Sequence, residues 1–576
     1  MVDFTGNNAD NVLIGTDGDD RLFGLGGNDL LDGRFGFDYM DGGAGNDTTT
    51  YDFYYGSINA NLQTGAVSFP GGGPGADTLV NIENVIGSHG DDVIIGDGFD
   101  NYLSGGEGND ILDGSFGFDT LDGGAGDDTA TYDFYSRGIN ADLRTGQVSF
   151  PGNGSDRFDT LINIENVIGS HGDDIIIGDG FDNYLSGGDG NDILDGSYGF
   201  DTLDGGAGND TTTYDFYAGG INANLQNGVV SFPGSGSDRT DTLANIENVI
   251  GSHGDDVIVG DGFDNSLSGG DGNDILDGSY GFDTLDGGAG NDTTTYAFYA
   301  GGINADLGTG KVFFPGSGTD LTDTLISIEN VIGSQGDDTI IGNALDNTLS
   351  GGVGNDILNG KGGNDKLIGG AGNDIYIVND AGDQVTELGN EGTDLVGSSV
   401  TYTLSNQVEH LKLTGTSNIN GTGNTLDNTL AGNAGVNTLD GAAGNDTLIG
   451  LGGKDVLKGG TGADKFVFTA ATDGGDRITD FSKQAGDKIV LLTTGFNGLT
   501  AGVLNSNQFV LGSQAKDSND RIIYNQSKGT LSYDADGKGG VAQVLLATFD
   551  NKPGLRATDF LAVATSPVPT LPAGVF

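Results

Sequence analysis

The sequence predicts an all-β fold: a parallel β-solenoid of short coils, built in tandem modules and closed at its C-terminal end by a β-rich cap. Three observations predict it. Asp20, Asp29, Asp38 and Asp47 fall nine residues apart, each closing a glycine-rich hexad (GTDGDD, GLGGND, GRFGFD, GGAGND). A longer period overlies this beat, because Asp110, Asp192, Asp274 and Asp356 occupy equivalent positions 82 residues apart. No segment carries sustained helical periodicity.

The repeated pattern is G-G-x-G-x-D-x-U-x, with U apolar. The glycines permit a tight turn with open backbone carbonyls, the aspartate adds a hard anionic oxygen, and x-U-x is a minimal strand. Two nonapeptides make one coil, so hexads eighteen residues apart stack, and successive coils rise by one strand spacing of ~4.8 Å. A cation between stacked hexads collects carbonyls from both turns and a carboxylate from each. That all-oxygen shell suits Ca²⁺, whose flexible coordination accepts backbone and carboxylate ligands together. The fold is therefore read as a calcium-binding parallel β-roll holding multiple Ca²⁺ ions.

Residues 1–50 form the first tract. Residues 51–380 hold four further units of about 82 residues, each a linker hairpin followed by a β-roll tract. In each unit a tract such as GGEGNDILDGSFGFDTLDGGAGDD leads into an aromatic run, here residues 132–135. INADLRTGQVSF follows, two alternating segments around Thr145-Gly146 that read as a β-hairpin. After a Gly/Ser/Asp-rich loop comes DTLINIENVIGS, whose spaced apolar residues read as solenoid coil without calcium. Residues 381–422 are rich in strand pattern but without calcium hexads, 423–464 form a final tract, and 465–576 a capping domain. Phe466, Phe468, Ile478, Phe481, Ile489 and Val490 supply the cap's apolar cluster.

Composition narrows the function. With 22 basic against 84 acidic residues the formal charge is −62, which opposes compaction unless counter-ions bind. It also argues against nucleic-acid partners, which need basic patches. The 110 glycines are periodic, so low-complexity disorder is not the reading. There is no cysteine, hence no disulfide framework or thiolate site. The first residues, MVDFTGNNADNV, show neither a basic region nor an apolar run, so no cleavable signal peptide is read there. No stretch approaches the ~20 apolar residues of a transmembrane segment.

The hexads, together with INIENVIGSHGDD, resemble the RTX family of secreted, haemolysin-type calcium-binding proteins. Residues 464–492, DKFVFTAATDGGDRITDFSKQAGDKIVLL, resemble the C-terminal domain that follows the β-roll in serralysin-like proteins. The resemblance implies an extracellular protein, secreted or associated with the cell surface, and export by type I secretion machinery reading an uncleaved C-terminal signal. The tail from Asp559, DFLAVATSPVPTLPAGVF, is similar to such a region.

Carried over residue by residue, the resemblance implies calcium ligation by the sixth-position aspartates. These are Asp20, Asp29, Asp38, Asp47, Asp92, Asp110, Asp119, Asp128, Asp174, Asp192, Asp201 and Asp210 in the first half. Asp256, Asp274, Asp283, Asp292, Asp338, Asp356, Asp365, Asp374, Asp446, Asp455 and Asp464 follow. Backbone carbonyls join them, among them those of Gly42, Gly45, Gly105, Gly108, Gly123, Gly126, Gly187, Gly190, Gly269 and Gly272. Asn101, Asn183, Asn265 and Asn347 replace one such aspartate per unit, as Asn428 and Asn437 do in the last tract, so those sites are expected to be weaker or empty.

Nothing points to an enzyme. His89, His171 and His253 recur in G-S-H-G-D-D, but Gln335 takes that place in the next copy, and they read as loop filler. No HExxH or G-x-S-x-G motif occurs, and Asp534-Ala535-Asp536-Gly537 lacks the twelfth-position Glu of an EF-hand, having Leu545 there. The hexads begin by Gly15, which leaves no room ahead of them for the separate catalytic domain of family enzymes. The aromatic runs 51–55, 132–135, 214–217 and 296–299 read as seals on the roll edge; the alternative is sugar stacking, as in an adhesin for cell-surface polysaccharide. The function expected is calcium binding in a structural or cell-surface role, with folding switched on by Ca²⁺ outside the cell.

Overall fold

The computed structural model describes residues 1–71, 75–152, 158–234, 239–316 and 322–573. Much of each Gly/Ser/Asp-rich loop and the last three residues of the tail lie outside the described residues. Among the described residues there are β-strands and two short 3₁₀ turns but no α-helix, and no helix is long and apolar enough to cross a membrane. The chain forms two compact units, Met1–Asp292 and Thr293–Phe576.

In the first unit every x-U-x triplet is a strand, and within a tract each pairs in parallel with the triplet eighteen residues on. Leu13 stands beside Leu31, and Leu31 beside Thr49. On the other row Leu22 stands beside Met40. Later in the unit Val85, Leu103 and Leu121 form one ladder, Ile94 and Leu112 another. The U side chains point inward and are fully buried, Leu22, Leu31, Met40, Ile94, Leu103 and Leu112 among them. Within a tract this thin ladder is the core, so stability accrues coil by coil.

The linkers do not interrupt the stack. Met40 is followed in its row by Leu79, in the strand Ala76–Val80. That strand pairs antiparallel with Ala66–Ser68, which pairs antiparallel with Asn59–Asn61, which pairs in parallel with Val93–Ile95. The expected hairpin is thus the middle of a meander that carries the row across two antiparallel junctions. Gly65, at φ +63, makes its turn, and a side chain there would meet the Leu79 carbonyl. Gln147–Ser149 and Val229–Ser231 repeat the arrangement. The aromatic runs pack onto these hairpins. Tyr51, Tyr132 and Tyr214 are buried, with Tyr132 and Tyr135 edge-on to Phe150 at ring separations of 6.0 and 5.2 Å.

In the second unit, Lys311–Phe313 repeats the hairpin and Leu349 stands beside Leu367. The segment read as lacking hexads keeps coiling: Ile375–Val378 pairs with Leu395–Ser398, which pairs with His410–Leu413 and then Thr429–Ala431. Residues 389–394, GNEGTD, fold as a hexad, correcting the reading that none exists there. Asn390 takes φ +72 at the second position, a conformation asparagine tolerates, and Asp394 Oδ1 accepts the Asp374 N–H at 2.9 Å. Beyond the last tract, Phe466, Ile489 and Phe560 extend one row. The other row passes from Asp476–Ile478 to Val544–Phe549 and turns antiparallel through Thr530–Tyr533 and Ile522–Asn525. Phe466, Phe481 and Phe549 are fully buried there.

Candidate metal centre

Each hexad turn brings its sixth-position carboxylate into the stack, where the two oxygens have different fates. In the tract around Asp110, Oδ1 accepts the backbone N–H of Asp92 at 2.7 Å, and Asp128 Oδ1 in turn accepts that of Asp110 at 2.7 Å. Every carboxylate is thus pinned to the coil before it. Oδ2 lies against the first glycine of its own hexad. A methyl group built on Gly105 would overlap Asp110 Oδ2, and one on Gly187 would overlap the Gly205 carbonyl oxygen as well as Asp192 Oδ2. Glycine at position one therefore keeps open a cradle faced by a carboxylate oxygen and by a backbone carbonyl of the next coil. At position four the coils approach just as closely, Gly126 against the carbonyl of Gly108.

For most of the predicted ligands that second oxygen is buried and has no hydrogen-bond partner. This holds for Asp29, Asp38, Asp47, Asp110, Asp119, Asp128, Asp192, Asp201, Asp210 and Asp274, and for Asp356, Asp365, Asp374, Asp446 and Asp455. Asp283 and Asp292 are buried likewise and accept the N–H groups of Asn265 and Asp274; Asp464 accepts that of Asp446. A buried anionic oxygen without a donor is costly, and the cost shows in the acidities. Burial, with neighbouring carboxylates adding to it, pushes Asp110, Asp192, Asp201, Asp274, Asp356 and Asp446 up to about 7, and Asp119 to about 8. The donor set is entirely oxygen, part carboxylate and part carbonyl, and it fits a hard divalent cation of flexible coordination.

Five predicted ligands differ. In the G-S-x-G-D-D hexads, Ser88 donates its N–H to Asp92 Oδ2 at 2.6 Å and its hydroxyl to Oδ1 at 2.7 Å. Ser170, Ser252 and Ser334 do the same for Asp174, Asp256 and Asp338, and Thr16 caps Asp20 through N–H and hydroxyl. These carboxylates are satisfied within the chain. The asparagine hexads are closed differently: Nδ2 of Asn101, Asn183, Asn265 and Asn347 donates at 2.8 Å to the backbone carbonyls of Glu83, Glu165, Glu247 and Glu329. Their Oδ1 atoms lie against the first glycine and accept a backbone N–H of their own turn, that of Asp97 on Asn101 at 2.9 Å, so these side chains are satisfied within the chain and bring no carboxylate.

The structure also adds acidic residues that the hexad pattern does not contain. Where a linker enters the stack, Asp77 replaces the hexad aspartate and accepts the Asp38 N–H at 2.9 Å, and Glu83 accepts that of Asp47 at 2.8 Å. Asp159, Glu165, Asp241 and Glu247 repeat this. Buried Tyr51 donates its hydroxyl to Asp77 Oδ2 at 3.1 Å. A signal existed, since D-T-L in the linker is the D-x-U of a nonapeptide stripped of its glycines. The histidines sit outside the cradles, pairing across coils with exposed carboxylates, His171 Nδ1 to Asp189 at 2.8 Å.

A family model for the RTX calcium-binding nonapeptide repeat matches these same tracts. Its overlapping matches join into residues 5–49, 86–131, 168–214, 250–295, 327–384 and 422–466. The chain belongs to the RTX calcium-binding repeat family. Members bind calcium at multiple sites, and the open cradles lie within the matched tracts. No curated protein matches the chain. The repeat matches end at residue 466, so they do not extend into most of the C-terminal segment that resembles serralysin-like proteins.

Proposed function

We propose that this RTX protein is a secreted, extracellular structural or cell-surface protein that remains unfolded at cytosolic calcium and folds on Ca²⁺ after export. The observation that carries the reading is the row of buried carboxylate oxygens without donors, several of them in cradles also faced by a carbonyl of the next coil. Without a cation, each is an uncompensated charge in a core one side chain thick. With extracellular calcium near ~1 mM and a Kd near ~10⁻⁴ M, one site adds about 1.4 kcal/mol, whereas at sub-micromolar calcium it adds almost nothing. The ligands assigned are the aspartates with an open Oδ2, together with Asp283, Asp292 and Asp464 by position. The serine- and threonine-capped five are structural. Circular dichroism of the whole chain in chelator, titrated with Ca²⁺, tests this: a cooperative gain of β-signal is expected, and full β-signal at nanomolar calcium refutes it.

Export by type I secretion machinery is part of the same proposal, supported by the likeness of the tail from Asp559 to the family's secretion region. Loss of secretion on deleting residues 559–576 is expected, and undiminished secretion refutes it.

A second reading, binding of cell-surface polysaccharide, draws support from exposed rings that recur with the long period. Phe99, Phe181 and Phe263 are 71, 72 and 72 % exposed, and Phe116, Tyr198 and Tyr280 are exposed with them. The runs first suspected of this role instead bury their leading tyrosines. Glycan binding that is unchanged in a triple alanine variant of Phe99, Phe181 and Phe263 refutes it.

A further inference from the structure

Between the strand Gln384–Thr386 and the hexad at 389–394 the chain carries two residues, Glu387 and Leu388, that no regular nonapeptide has. The coil from Asp374 to Asp394 is accordingly twenty residues long instead of eighteen, yet Asp394 still accepts the Asp374 N–H. In the cradles beside Gly24, Gly187 and Gly441, the first glycine of the hexad faces a carboxylate and the carbonyl oxygen of the corresponding glycine one coil on. Beside Gly369, first glycine of the hexad ending at Asp374, the insertion changes the wall. The three atoms nearest a methyl group built there are Asp374 Oδ2, the Tyr376 hydroxyl and Glu387 Oε1. A second side-chain carboxylate therefore joins the wall of this cradle.

Ligand oxygens of Asp374, Glu387 and Asp394 all lie within 4.8 Å of one another. Asp374 and Asp394 are each 1 % exposed and Glu387 8 %. Neither oxygen of Glu387 has a hydrogen-bond partner, nor has Asp374 Oδ2 or the Tyr376 hydroxyl. No Lys, Arg or His ion pair is formed by any of the three carboxylates among the described residues. Glu391, the other acid of this turn, is engaged with the Leu388 N–H at 2.6 Å. Three buried carboxylates converging with no positive group between them can all stay ionised only with a cation between them. More anionic ligands bind a divalent ion more tightly.

We propose that Asp374, Glu387 and Asp394 form a three-carboxylate site for a hard divalent cation, Ca²⁺ under extracellular conditions, more anionic and tighter than the hexad sites. It deepens the calcium reading and rests on it. Its place, at the last hexad before the 381–422 coils, makes it the site from which this part of the second unit orders as calcium rises.

Hydrogen–deuterium exchange of the whole chain against free Ca²⁺ tests it. Residues 369–398 should gain protection at lower calcium than residues 168–214, a tract of ordinary hexads. Glu387→Gln, which keeps shape and removes charge, should raise the midpoint of 369–398 about tenfold and leave that of 168–214 in place. Asp380→Asn, an exposed carboxylate on the same coil, should leave both midpoints unchanged. Protection of 369–398 in chelator in the unaltered chain, or a midpoint unmoved by Glu387→Gln, overturns the proposal. If Glu387→Gln stays unprotected at saturating calcium, the order of the two midpoints in the unaltered chain decides. A tract 168–214 that never responds to calcium refutes the hexad reading instead, a separable outcome.

Discussion

Asp201→Asn should change the sign of its effect on stability with calcium. Asp201 Oδ1 accepts the Asn183 N–H at 2.9 Å, and its Oδ2 is buried without a donor. An asparagine keeps the first bond through its carbonyl oxygen. Its N–H₂ group then stands where Oδ2 stood, the reverse of Asn183, whose Oδ1 accepts the Asp179 N–H at 2.9 Å and whose Nδ2 donates to the Glu165 carbonyl at 2.8 Å. In chelator the substitution removes an unsatisfied buried anionic oxygen, a gain of about 1–3 kcal/mol. In ~1 mM calcium it forfeits a site worth about 1.4 kcal/mol and leaves an amide in a cradle built for an ion. The chain itself contains the comparison, because four of its hexads already carry this asparagine.

Urea unfolding followed by far-ultraviolet circular dichroism, at pH 8 with and without calcium, reads the crossover. Asp174→Asn is the control. Its carboxylate accepts Ser170 N–H and hydroxyl and Ile139 N–H at 2.6 to 2.7 Å, so an amide there faces a donor with a donor. It should lose about 1–3 kcal/mol in both media. Equal destabilisation by Asp201→Asn with and without calcium would refute the division of carboxylates into open and capped.

The calcium-free chain should gain β-structure on acidification from pH 8 to pH 5. Carboxylates such as Asp110 and Asp192, raised by burial to about 7, bind protons more tightly folded than unfolded. Their stabilisation is complete below the ordinary value near ~3.9 and is lost as pH rises through about 7; a β-signal flat across that range in chelator refutes it. Asn183→Asp should add one bound Ca²⁺ by calorimetry, and an unchanged stoichiometry counts against the assignment of ligation to the carboxylate. Glu165→Gln, which weakens the acceptor of the Asp128 N–H at 2.9 Å, should lower the calcium-loaded stability by about 1 kcal/mol, and no change in the urea midpoint would show that the linker carboxylate is dispensable.

The regular part of this fold is legible because its contacts lie at a constant eighteen residues: any nonapeptide fixes its own turn, its own buried U and its own carboxylate. What the sequence hides is set by whichever coil lies next door. Ser88 and Ser115 both hold the second position of a G-S-x-G-x-D hexad, in GSHGDD and GSFGFD. Ser88 donates to Asp92 within its hexad. Ser115 takes φ +60, its N–H turns back to Asp113, its hydroxyl accepts from Gln63 of the hairpin, and Asp119 Oδ2 is left open. The difference comes from the neighbours. The Ser88 turn lies against the end of an aromatic run, His89 N–H donating to the Tyr54 carbonyl and Ser88 hydroxyl to that of Gly56. The Ser115 turn stacks on an ordinary coil, Phe116 N–H donating to the carbonyl of Asp97. In the repeated units, open cradle or capped carboxylate therefore follows where a hexad sits after a linker, while Asp20, which follows none, is capped by its own Thr16.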